Sequence, residues 1–211
     1  MTILAARLFS PDLAVIWTDS ECLSLVDGRH SRMRNKLVVA GAGVAVVSGG
    51  WADLGDEADR LVCRARDLDE AVRRLPELLR QRTMKMIRSV GRDARETARQ
   101  IVFLAGFSPA AGRVMAYQFR GAWAYEAAIA TAEAVPDVPE FHRLREPHPE
   151  HVECIARAQM DALRADYPEA TGGLLTMATI RLGGIEARTL CDLAPERFEE
   201  PVMMEEAACT R

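Results

Sequence analysis

Apolar and β-branched residues gather in short runs at the start of the chain: Thr2 to Leu8, Leu13 to Thr18, Lys36 to Ala40 and Val44 to Ser48. Turn-formers such as Ser10-Pro11-Asp12 and Gly41-Ala42-Gly43 separate the members of each pair, so two hairpins are expected. From Ala52 to about Val90 the period becomes helical, with Leu61, Val62, Leu68, Val72, Leu75, Leu78 and Leu79 recurring on one side. Two helices are predicted, parted near Asp67, where Asp67-Leu68-Asp69-Glu70 has the form of a cap followed by an acidic first turn. Pro76 falls inside the second and is expected to bend it or move its start.

Strand character returns at Ile101 to Ala105 and Val114 to Phe119, around the turn-rich Phe107 to Gly112. An Ala-rich segment from Ala122 to Val135 follows, then a loop carrying Pro136, Pro139, Pro147 and Pro149. Glu150 to Ala165 predicts an amphipathic helix with Val152, Ile155, Ala156, Met160 and Leu163 inward. Glycine pairs introduce Leu174 to Leu182 and Ile185 to Leu193, a last hairpin. Blocks of hairpins separated by helical blocks predict an α+β fold, with two mainly antiparallel sheets between helical layers. Residues 1–193 form one domain in this reading. The acidic, proline-interrupted stretch 194–211 is a surface arm or tail.

Composition narrows the classes. The 211 residues are 49% hydrophobic and 27% charged, enough for one sizeable core. A net charge of -4 provides no positive field for nucleic acid. No run approaches the roughly 18 to 20 apolar residues of a membrane span, and no signal-peptide succession opens the chain, so a cytoplasmic protein is expected. Cys22, Cys63, Cys154, Cys191 and Cys209 are odd in number and lack paired metal-ligand spacing, which reads as reduced thiols. His148 and His151 have no evident third partner, and no metal or organic cofactor is expected.

Four features carry chemistry: Thr2 directly after Met1, Asp19 in Trp17-Thr18-Asp19-Ser20, Lys36 in Arg34-Asn35-Lys36-Leu37, and Ser48-Gly49-Gly50-Trp51-Ala52-Asp53 at a strand-to-helix turn. Seventeen steps separate Thr2 from Asp19 and seventeen separate Asp19 from Lys36. In this order the chain resembles the proteasome β-subunit family and its bacterial branch, the HslV-type peptidases and ancestral-β-subunit proteins, which are N-terminal-nucleophile hydrolases. The Ile101-Val102-Phe103-Leu104-Ala105-Gly106-Phe107 strand and the Thr171-Gly172-Gly173 entry to a late strand extend the resemblance over nearly the whole chain.

The resemblance implies a four-layer αββα sandwich and a nucleophile at Thr2. Removal of Met1 is compatible with the small second residue and would leave an α-amine beside the Thr2 hydroxyl. Such an amine ordinarily titrates at about 7.7 to 8.0, so roughly a tenth or more of it is already free base at neutrality and able to act as the base. Lys36 would lower the amine and hydroxyl pKa values by its charge, Asp19 would hold Lys36 charged and oriented, and the Gly49 N–H would stabilise the oxyanion. Ser48 belongs to the same turn, and Cys22 and Trp51 would shape the substrate pocket, the indole of Trp51 favouring a small side chain. The chain departs from the family where a supporting hydroxyl is usual, at Gly121-Ala122-Trp123-Ala124, and where an aspartate is usual, at Pro168. The function implied is an N-terminal threonine amidohydrolase, a self-compartmentalising peptidase assembled as a homo-oligomeric ring or stack through the apolar helical faces of 52–90. The rival readings are a catalytically silent scaffold and a non-peptide amidase. Docking of an ATPase unfoldase is not readable.

Overall fold

The computed structural model describes residues 2–23, 30–90 and 98–194, with backbone alone at 22, 23, 30–33 and 90. Met1, the Cys22 side chain, Cys209 and the acidic stretch from 195 onward lie outside what is described. The chain is α+β. Strands β1 (Leu4–Ser10), β2 (Leu13–Thr18), β10 (Ala132–Val135), β11 (Leu174–Arg181) and β12 (Gly184–Asp192) form one antiparallel sheet in the order β10-β1-β2-β11-β12. Strands β5 (Leu37–Ala40), β6 (Val44–Gly49), β7 (Ile101–Ser108), β8 (Arg113–Arg120) and β9 (Ala127–Ile129) form the second, also antiparallel and in sequential order. A small ribbon pairs β3 (Glu21–Leu23) with β4 (His30–Met33).

Each central strand is apolar on both faces, and successive residues enter different cores because side chains alternate. In β2, Val15 and Trp17 join one cluster with helices α3 (Pro139–Arg143) and α4 (Pro149–Asp166), while Ala14 and Ile16 join the cluster between the sheets. In β6, Ala45 and Val47 face that same inter-sheet cluster. Val44 and Val46 face helices α1 (Ala52–Arg64) and α2 (Leu68–Val90). Three apolar layers therefore separate helices, sheet, sheet and helices, an order compatible with a sandwich. The inward residues expected on the 150–165 helix are buried in α4. Its Gln159 accepts from the Trp17 indole at 3.0 Å and donates to the Leu4 carbonyl at 3.2 Å, tying α4 to β1.

Several elements differ from expectation. The first strand begins at Leu4, so Thr2 stands just ahead of it. Helix α2 starts at Leu68 and runs through Pro76; the Asp67 carboxylate accepts the Glu70 N–H at 2.8 Å and fixes that start against the proline. The Ala-rich segment becomes a 3-10 turn, Gly121–Trp123, and the two edge strands β9 and β10, because sheet pairing overrides alanine's helical preference. The proline loop contains α3. The apolar faces of 52–90 are mostly consumed by the chain's own core, with Met84 left exposed on α2.

Candidate active site

Antiparallel pairing brings the four singled-out positions to one end of the two sheets. Leu4 pairs with Thr18, so Thr2, just before β1, and Asp19, just after β2, are neighbours. Leu37 pairs with Val47, so Lys36 ahead of β5 and Gly49 at the end of β6 share an end as well.

The side chains meet. Lys36 Nζ donates to Thr2 Oγ1 at 2.6 Å and lies 3.1 and 3.2 Å from the two Asp19 carboxylate oxygens. Thr2 Oγ1 donates to Asp19 Oδ1. The backbone N–H groups of Ile3 and Glu21 donate to the Asp19 oxygens at 3.1 and 3.0 Å. Thr2 is 9% exposed, Asp19 2% and Lys36 4%, so the cluster is screened little by water. Burial pushes the Asp19 carboxyl up; the charge of Lys36 and the hydrogen bonds from Thr2, Lys36 and Ile3 pull against it. A buried carboxylate holding its lysine against a hydroxyl oxygen can favour negative charge on that oxygen.

Gly49 completes the approach. A Cβ there would lie 2.6 Å from the Thr2 methyl and 3.0 Å from Leu4 Cδ1, so only glycine admits this contact. Gly50 has φ of +103°, and a Cβ on it would run into the Gln100 carboxamide. That carboxamide accepts the Trp51 N–H at 2.7 Å and anchors the turn entering α1. Ser48 is buried as well. Trp51 is 4% exposed and packs in the cluster under α1 and α2, so the small-side-chain preference has no open indole wall to rest on.

The segment leading to Lys36 is tied to the first helix. Arg34 Nη2 lies 2.5 Å from Asp59 Oδ2 and 2.9 Å from Asp56 Oδ1, binding the approach to β5 onto α1. Among the described residues Asp59 Oδ1 is buried without a partner. Burial pushes the Asp59 carboxyl up to about 6, with Arg34 opposing the rise. The folded state therefore holds this proton more tightly than the unfolded chain. The resulting stability is full below about pH 4 and is lost as pH rises through about 6, amounting to at most about 3 kcal/mol. Urea unfolding of wild type and Asp59→Asn at pH 4.5 and 7 checks it: wild type should lose stability relative to the variant as pH rises, and parallel changes would contradict the assignment.

Sequence reasoning missed Glu21, Gln100 and the Arg34–Asp59 pair. Glu21 stands two residues after Asp19, and Gln100 is a polar residue directly before an apolar strand; those positions were the available signals. No protein-family model matches the chain, and no curated protein matches it.

Proposed function

We propose that this chain is an N-terminal threonine amidohydrolase on a four-layer αββα sandwich of the proteasome-like, N-terminal-nucleophile type, acting as a peptidase in a homo-oligomeric ring or stack. The observation that carries this reading is the mutual contact of Thr2, Asp19 and Lys36 against Gly49. Removal of what precedes Thr2 frees its α-amine. Thr2 Oγ1 then attacks the substrate carbonyl, and its proton passes to that amine. Lys36, held by Asp19, stabilises the charge growing on Oγ1, and the Gly49 N–H receives the oxyanion. The C–N bond breaks, the departing amine takes the proton, and an acyl ester remains on Thr2. Water adds to the ester as the α-amine accepts its proton, which releases the acid and restores the hydroxyl.

Intact-mass analysis of the purified protein before and after exposure to a β-lactone tests this reading. The expected result is a species beginning at Thr2 that gains one adduct, absent in Thr2→Ala. Protein that retains Met1, or an adduct that persists in Thr2→Ala, overturns it. Labelling without peptide cleavage would select the non-peptide amidase, and a processed but unlabelled protein the scaffold.

A further inference from the structure

Glu21 is 2% exposed, yet among the described residues no cation pairs with it. Its carboxylate is spent on one turn. Oε2 accepts the N–H groups of Thr171 and Gly172 at 2.8 and 2.6 Å, and Oε1 accepts the Thr171 hydroxyl at 2.5 Å. Gly172 and Gly173 have φ of +99° and +74°, a left-handed pair that few residues would hold unaided, and the carboxylate caps the N–H groups this backbone presents. The Glu21 N–H links the turn to the site. It lies 3.0 Å from Asp19 Oδ2 and 3.2 Å from the Gly172 carbonyl, shared between the site and the turn. Next to it, Ser20 Oγ accepts the Leu174 N–H at 2.9 Å, so two consecutive side chains fasten the segment after β2 to the start of β11.

We propose that Glu21 is a positioning residue: by clamping the 171–173 turn it fixes the peptide whose N–H orients the Asp19 carboxylate, and through Asp19 the Lys36–Thr2 contact. The inference rests on the threonine-hydrolase reading for its kinetic consequence, but not for its geometry. Two neutral substitutions separate clamp from charge. Glu21→Gln can keep all contacts, its carbonyl accepting both N–H groups and its amide donating to the Thr171 hydroxyl. Glu21→Ala removes the same charge and the clamp.

The test combines ¹³C NMR titration of the Asp19 carboxyl with steady-state kinetics on a peptide amide, using processed full-length protein. In Glu21→Ala the Asp19 midpoint should lie above that in Glu21→Gln, because a loosened N–H favours the carboxylate less. The value of kcat should fall roughly tenfold, as for a small misplacement of a catalytic group, while KM stays near wild type and Glu21→Gln restores kcat. Coincident Asp19 midpoints in two folded variants overturn the proposal. Separated midpoints in the two variants, together with a wild type that shows no turnover, uphold the clamp and reject the hydrolase reading instead. Should Glu21→Ala not fold, Thr171→Val, which removes the hydroxyl donor alone, takes its place: a raised Asp19 midpoint supports the clamp, and an unchanged one rejects it.

Discussion

Replacing Lys36 with methionine should cost about 3 kcal/mol of stability at pH 7, the lower end of what is lost when one member of a buried ion pair is removed. The reason lies with the partner. Asp19 stays 2% exposed and keeps hydrogen bonds from Ile3, Glu21 and Thr2, which hold the loss to that lower end. What disappears is the ammonium group that offsets the burial of its charge. Burial already pushes this carboxyl up, and without Lys36 it rises further. The sign follows: the folded variant takes up a proton more readily than the unfolded chain, so its deficit shrinks as pH falls. The Asp19→Leu/Lys36→Met pair should recover much of the loss, since exchanging both charges for apolar groups is often neutral. Urea unfolding at two pH values gives all four corners of the cycle. A single Lys36→Met variant within about 0.5 kcal/mol of wild type would mean that the pair is not buried as described. On the proposed chemistry the same variant should also lose about a hundredfold or more in acylation of Thr2, the scale set by removing one donor to developing charge.

Much of this was legible in the chain because the chemistry sits at strand ends. A hairpin returns the chain to where it began, so a residue before one apolar run and a residue after the next must be neighbours. Thr2 and Asp19, and Lys36 and Gly49, follow from that rule once the runs are recognised. The helical block from Ala52 to Val90 was equally readable, since its apolar spacing and the Asp67 cap are local signals.

What the pattern did not carry is long-range. Glu21 reads as the polar end of a strand until Thr171, 150 positions away, is brought against it. Gln100 reads as a linker residue until Gly50 takes its left-handed conformation beside it. The family resemblance makes Trp51 a pocket wall, but the side chain is buried in the apolar cluster under the helices. The edge strands β9 and β10 come from an alanine-rich segment whose composition favours helix; only the unpaired edges of β8 and β1 make strands of it.

Gly49→Ala should be the most damaging conservative change in the site. The added methyl would stand 2.6 Å from Thr2 Cγ2, 3.0 Å from Leu4 Cδ1 and 3.4 Å from Ile101 Cγ2. Carbon atoms pack at about 3.5 to 4.0 Å, so something must move by about 1 Å. Leu4 and Ile101 are both buried in the cluster between the sheets and have little room. Thr2 is the part able to yield, but its β-branched carbon carries Oγ1 together with the methyl, and rotating one away takes the other off Lys36. Overpacking of this kind costs about 1 to 3 kcal/mol, and a misplacement of about 1 Å at a nucleophile costs on the order of a hundredfold in rate. Thr2→Ser supplies the control because it deletes the methyl that is struck and keeps the hydroxyl. In the double variant both stability and β-lactone labelling should return most of the way to the Thr2→Ser level. Gly50→Ala serves as the contrast: it strains a backbone at φ of +103° and collides with Gln100, away from Thr2, so Thr2→Ser should give it no relief. If Gly49→Ala labels as fast as wild type, or if Thr2→Ser relieves both glycine variants alike, Gly49 does not pack on the nucleophile, and the oxyanion role assigned to its N–H falls with that contact.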